Sequence, residues 1–214
     1  MTKVAYKDVW DKLEVYRDNP LWFVEDFIEK IDDKTTPYKL DKGQKNVIET
    51  LHLNDRVLFK ETNGFRRMNT IAAYIVYKLI FESDIKIGIA SDNVTNAKSL
   101  LWNMGSMING LPFDLGAKFF SDKITFGESK VMVCSSPNSI RGHTFNLFVL
   151  DNCYEIKQKM FDDYCNSVFP VMVNGNIIMT AGDNCGRPHK FNNIWNDVPW
   201  NGFVKYEKGF LENP

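Results

Sequence analysis

The 214-residue chain sets 26 Lys and Arg against 27 Asp and Glu, a net charge of −1, so its overall charge drives it onto neither nucleic acid nor a membrane. With 44% apolar and 25% charged residues it has an ordinary globular composition, and its length suits one α/β domain, with or without small extensions, around a full core. Cys134, Cys153, Cys165 and Cys185 form no Cys-x-x-Cys pair and the three histidines are scattered, which excludes zinc-site spacing and leaves free thiols of a reducing compartment. Met1 to Trp10 is too mixed and charged for a signal peptide, and no apolar run approaches the roughly 18 residues that span a bilayer.

In chain order, Tyr6 to Ile31 reads as helix, interrupted at Asp18-Asn19-Pro20, where Asn19 caps a second helix with Pro20 at its first position. Trp22, Phe23, Phe27 and Ile31 recur at near-helical spacing and read as a core face. Lys34 to Pro37 is a polar linker, and Leu40 to Leu51 a further amphipathic helix carrying Gln44. From Arg56 strands and helices alternate. Val57 to Phe59 is strand, Asn69 to Glu82 helix, Ile85 to Ala90 strand, and Val94 to Ile108 helix capped by Asp92 or Asn93. Lys123 to Phe126 and Lys130 to Cys134 form a hairpin about Gly127-Glu128-Ser129. Phe145 to Leu150 is strand, Ile156 to Val168 helix, Asn176 to Thr180 strand. Such alternation predicts a mostly parallel sheet covered on both faces, with ligands at the edge beyond the strand C-termini.

One frame stands out. The apolar strand Val57-Leu58-Phe59 runs into Lys60-Glu61-Thr62-Asn63-Gly64-Phe65-Arg66-Arg67-Met68 and then a helix; a distant strand, Phe145 to Leu150, ends in Asp151-Asn152. Strand, loop, helix and a later acid-ended strand is the layout of a P-loop ATPase. The loop should end Gly-Lys-Thr or Gly-Lys-Ser. Arg66 instead stands at the glycine that lets the backbone approach phosphate, Arg67 at the lysine, and Met68 at the magnesium-ligating hydroxyl. Taken alone, this stretch reads more readily as an ordinary strand-to-helix connection, because a degenerate P-loop is a weak signal.

The block Ser135-Ser136-Pro137-Asn138-Ser139-Ile140-Arg141-Gly142 leads into the Asp151 strand. With Pro37-Tyr38-Lys39-Leu40, Gln44 and the segment Ile177 to Asn184, it resembles the large terminase subunit of tailed phages, myovirus type, in order from about Asn19 to Trp195. The resemblance implies a three-layer α/β P-loop ATPase core with a mostly parallel sheet over residues 55–214. A helical N-terminal extension over residues 1–54 would include the adenine-motif region. It implies that Gln44 reads adenine with Tyr38 beside the base, and that Lys60, Thr62, Asn63, Gly64, Arg66, Arg67 and Met68 line the nucleotide. Asp151 would hold Mg²⁺, while Thr180 and Asn184 would belong to the motif that couples hydrolysis to motion.

Departures accompany these assignments. Asn152 stands where the family has the glutamate that activates water, and an amide cannot take that proton. Asn63 stands where the family has an arginine sensor, and Ala181-Gly182-Asp183 departs from the threonine-rich coupling motif. Lys60 at the front of the loop, Arg66, and Glu155 three residues beyond Asn152 are the candidate substitutes for the missing groups. ATP and Mg²⁺ are the implied cofactors. Portal, other terminase subunits and double-stranded DNA are the implied partners, in an oligomer or not, in the host cytoplasm. The reading is a pseudo-ATPase with a structural or regulatory role. The alternatives are an active motor ATPase using Lys60, and a nucleotide-free interaction module. The family's nuclease domain is not present, whether the chain is a fragment or a short relative. The loop carries Lys60, Arg66 and Arg67 against Glu61, and either attracts an anion or is blocked by an arginine that fills the cradle or pairs with Asp151.

Simpler readings hold elsewhere. His143 beside Gly142 is a loop or hinge residue, Asp162-Asp163 a solvated helix face, and Trp195, Trp200, Phe203 and Tyr206 C-terminal packing or else a partner surface.

Overall fold

The computed structural model describes residues 3–28, 39–61, 64–172, 175–182, 188–198 and 201–208; for residues 61, 64–67 and 208 it describes the backbone only. Tyr38, Thr62, Asn63, Asn184, Cys185, Trp200 and the linker Lys34 to Pro37 lie outside the described residues. The chain opens with β1 (Val4–Ala5), α1 (Tyr6–Leu13), a 3₁₀ turn (Glu14–Tyr16) and α2 (Pro20–Phe27). Pro20 occupies the first turn of α2 as expected, although Asn19 caps it without a side-chain hydrogen bond. Next come α3 (Lys42–Leu53), β2 (Arg56–Glu61), α4 (Gly64–Phe81), β3 (Lys86–Ala90), α5 (Val94–Gly110), β4 (Phe113–Asp114), β5 (Lys118–Phe119), β6 (Lys123–Phe126) and β7 (Ser129–Val133). A 3₁₀ turn (Pro137–Ile140), β8 (Leu147–Leu150), a 3₁₀ turn (Cys153–Glu155), α6 (Gln158–Val168), β9 (Asn176–Ala181), α7 (Lys190–Asn196) and β10 (Val204–Lys208) complete it.

Eight strands form one sheet in the order β10-β2-β9-β8-β3-β7-β6-β5. Pairing is parallel from β10 through β7 and antiparallel across β7, β6 and β5, so the expected hairpin closes one side. The acid-ended strand β8 is separated from the loop-bearing strand β2 by β9, which comes later in sequence.

Alternation along each strand splits the core in two. Val57, Phe59, Ile87, Ile89, Leu147, Val149 and Ile178 face α3, α4 and α5 and share one cluster with Leu13, Phe23 and Val24 of the N-terminal helices. Leu58, Phe148, Leu150, Ile177 and Met179 face α6 and α7. The architecture is therefore three layers, helix–sheet–helix, with the N-terminal helices joined to one outer layer. Gly88 marks a tight spot on the α6 face: a Cβ there would stand 2.6 Å from the Phe148 ring. Cys134 and Cys165 are buried free thiols, raised by burial to about 11 and about 12. Among the described residues no helix is long and apolar enough to cross a membrane.

Two elements depart from the sequence reading. α4 begins at Gly64 rather than Asn69, so Arg66, Arg67 and Met68 lie in its first turns. Nothing after Gly64 breaks a helix there, because Arg and Met are good helix formers. The sheet also extends past β9. The segment around Tyr206 is β10, a parallel edge strand on β2 with Tyr206 opposite Phe59 and their rings 5.6 Å apart. A five-residue strand of mixed polarity such as Val-Lys-Tyr-Glu-Lys gives little periodic signal, and only its remote partner makes it a strand.

Candidate functional site

The C-termini of β2, β9, β8 and β3 emerge side by side. β8 and β9 are followed by helices on one face, β2 and β3 by helices on the other. Such reversals open crevices at the C-terminal edge, here between β2 and β9 and between β8 and β3.

The β8–β3 crevice holds a connected polar network. Asp151, 1% exposed, accepts a hydrogen bond from Thr180 Oγ1 at the end of β9. The same Thr180 oxygen accepts from the backbone N–H of Asn152 at 3.3 Å. Ser91 Oγ lies 3.4 Å from Asp151 Oδ2 and 2.9 Å from Asp92 Oδ1, so one hydroxyl proton faces two carboxylates. Asp92 Oδ1 also accepts from Asn96 Nδ2 at 2.8 Å and from Asn152 Nδ2 at 3.2 Å, while Oδ2 accepts from Asn93 Nδ2 at 2.7 Å. Burial alone would raise the Asp92 carboxyl; the donors from Asn96, Ser91, Asn152 and Asn93 outweigh it and hold the group below its ordinary value. Asn152 itself is left-handed, at φ 53° and ψ 41°.

Lys60, the penultimate residue of β2, lies on the opposite face. It shares the face of Leu58, towards α7, where its Nζ stands 4.3 Å from the centre of the Trp195 ring and 5.8 Å from that of Tyr154. Lys205 of β10 approaches the same indole at 5.5 Å. Burial lowers the Lys60 ammonium below its ordinary value; Glu207 opposes this and Lys205 adds to it. His189 fixes α7: its Nδ1 accepts from Phe191 N at 3.1 Å, so the other ring nitrogen donates to Ile156 O at 3.0 Å.

The remaining expected residues fall as follows. Gln44 forms a capping box at the start of α3: its Oε1 accepts from Asp41 N and its own N–H donates to Asp41 Oδ1, both at 2.9 Å. Its neighbour Gly43 accepts from the Tyr206 hydroxyl at 3.3 Å, which ties this helix end to β10. Met68 packs its thioether side chain against the core, where the resemblance expects a hydroxyl. Glu155 ends the 3₁₀ turn after Asn152 and is exposed. Ser136 and Ser139 build a reciprocal cap on the turn Pro137–Ile140, so the Ser-Ser-Pro block shapes the β7-to-β8 connection. Phe203 and Trp195 are core residues, and Asp162 pairs with Lys190 on the helix surface.

The structure thus brings Asp151, Asn152 and Thr180 together. It adds Ser91, Asp92 and Asn96, which sequence reasoning used only as a helix cap or passed over. Their signal was present: a Ser-Asp-Asn run directly after an apolar strand sits at the ligand edge of any parallel sheet.

No family model and no curated protein matches the chain. Solved structures do. The large terminase of bacteriophage HK97 superposes with a TM-score of 0.70 at 13% identity, over 92% of this chain and 45% of that one. The large terminase ATPase domain of Thermus phage P74-26 gives 0.63 at 12% identity, over 79% of this chain and 81% of that one. The large terminase of a thermophilic bacteriophage, in complex with ATP-gamma-S, gives 0.57 at 11% identity, over 79% and 44%. The chain has the fold of a phage large terminase ATPase domain. It spans less than half the length of the HK97 terminase and of the thermophilic-phage terminase it matches.

Proposed function

We propose that this chain is a terminase-like DNA-packaging ATPase domain in which hydrolysis is lost or nearly so. Its role is structural or regulatory, towards portal, other terminase subunits or double-stranded DNA in the host cytoplasm. One observation carries the reading: the residue after Asp151 is an amide whose Nδ2 donates to Asp92. An amide held this way cannot accept a proton from water.

In this reading the end of β8 and its neighbours would form one half of a magnesium–nucleotide site. Asp151 with the Ser91 and Thr180 hydroxyls is an oxygen set that suits a hard cation. The loop half departs from it, since Met68 puts a core-packed thioether where a hydroxyl is expected. The thermophilic-phage terminase is known with ADP and with ATP-gamma-S, which supports nucleotide binding as a property of this fold.

The test is ATP turnover by the purified chain, alone and with DNA and portal. Turnover at background level, unchanged by Asp151→Ala, is the expected result. Steady turnover abolished by Asp151→Ala would overturn the reading in favour of an active motor. In that alternative, Lys60→Ala destroys activity and Arg67→Ala is milder. Calorimetry with Mg-ATP separates a nucleotide-binding pseudoenzyme from an interaction module that binds none.

A further inference from the structure

The amide of Asn152 and the carboxylate of Asp92 face each other across two adjacent strands. β3 and β8 are parallel neighbours with Ala90 opposite Leu150, so the next two residues of each strand fall side by side, Ser91 by Asp151 and Asp92 by Asn152. The ladder holds to this point, since Asp151 N donates to Ala90 O at 2.9 Å. Just beyond it Asn152 turns left-handed, and its side chain reaches Asp92 at 3.2 Å.

We propose that Asp92 is a positioning residue of this edge. The site's second carboxylate stands just past the end of β3 rather than of β8, and it holds Asn152 in place as an amide–carboxylate pair. Each partner suits its position. Asn is among the few residues that tolerate the left-handed region, through its short polar side chain. Asp92 is surrounded by donors from Ser91, Asn93, Asn96 and Asn152, an environment built for an ionised acceptor. A carboxylate at position 152 would face Asp92 at hydrogen-bond distance and Asp151 next to it. Like charges so close cannot both ionise freely.

The pair is tested by isosteric exchange: Asp92→Asn, Asn152→Asp, and both together, each melted with and without saturating Mg-ATP. Each single change is expected to lower the melting temperature by about 3–6 °C. The double exchange, which restores one carboxylate and one amide with their strands swapped, is expected to exceed the sum of the singles in stability by at least tenfold in the folding constant. Additive losses would overturn the proposal. The second measurement rests on the nucleotide-site reading. Any Mg-ATP-dependent rise in melting temperature is expected to vanish in both singles and return in the double, which lost packing alone would not produce. A rise that persists unchanged in both singles overturns the positioning role. No rise in the unaltered protein, with the coupling intact, sinks the nucleotide-site reading and supports the pair as the link between the ends of β3 and β8.

Discussion

Asp151 directly follows β8 and Lys60 is the penultimate residue of β2, in one sheet with β9 between these strands, and by strand alternation they point to opposite faces. Around Asp151 the side chains are polar and mutually bonded: Thr180, Ser91, Asp92, Asn96 and Asn152. Around Lys60 they are aromatic: Trp195 and Tyr154, with a second lysine on the same indole. The acidic half keeps the hydrogen-bonding chemistry of a ligand edge. The cationic group on the loop strand is instead committed to packing.

The sharpest way to break this contrast is Trp195→Ala. The ring is 6% exposed and sits in the α6–α7 cluster, so its removal should cost roughly 3–5 kcal/mol of unfolding free energy, read from denaturant melts. A loss near zero would mean that the aromatic half is not core. Asp151→Ala should cost about 2 kcal/mol, because the buried Thr180 hydroxyl loses its carboxylate acceptor, whereas Ser91 keeps Asp92. Stability unchanged by it would argue that the network is incidental.

A third effect is acid-dependent. Asp92 has a depressed carboxyl in the folded chain, so the unfolded state binds its proton first as pH falls. Its stabilising contribution is complete above the ordinary carboxylate range, about pH 4, and is lost as pH drops through the folded value. Asp92→Asn should therefore flatten the acid limb of a stability–pH curve; an unaltered limb would count against the donor set described around it. Smallest of all is Lys60→Met. The side chain is only partly buried and its contact with Trp195 is worth at most about 1 kcal/mol. A large loss from this change would show that the ammonium does more than cover the indole.

Much of the frame was legible in the sequence. Val57 to Phe59 before a loop and helix, the Gly127 hairpin, and an apolar strand ending in Asp151 all carry strong local signals, because strand alternation and turn chemistry act over a few residues. The Gln44 helix was legible too, though not that its amide oxygen would serve Asp41. What escaped depends on distant partners. β10 is a strand because β2 lies beside it. The early start of α4 is the exception, since it follows from the local helix propensity of Arg66, Arg67 and Met68.

By itself the sequence determined the alternation of strands and helices, the acid at the end of β8 and the amide after it. Only the tertiary structure decided that β9 inserts between β2 and β8, that Lys60 turns towards Trp195, and that Asn152 meets Asp92. The physical reason is one of range. Periodicity and capping are written in neighbouring residues. Sheet order, the face a strand-end side chain takes, and the partner across a crevice are set by contacts between segments up to about 150 residues apart, whose loop-closure cost grows only slowly with separation.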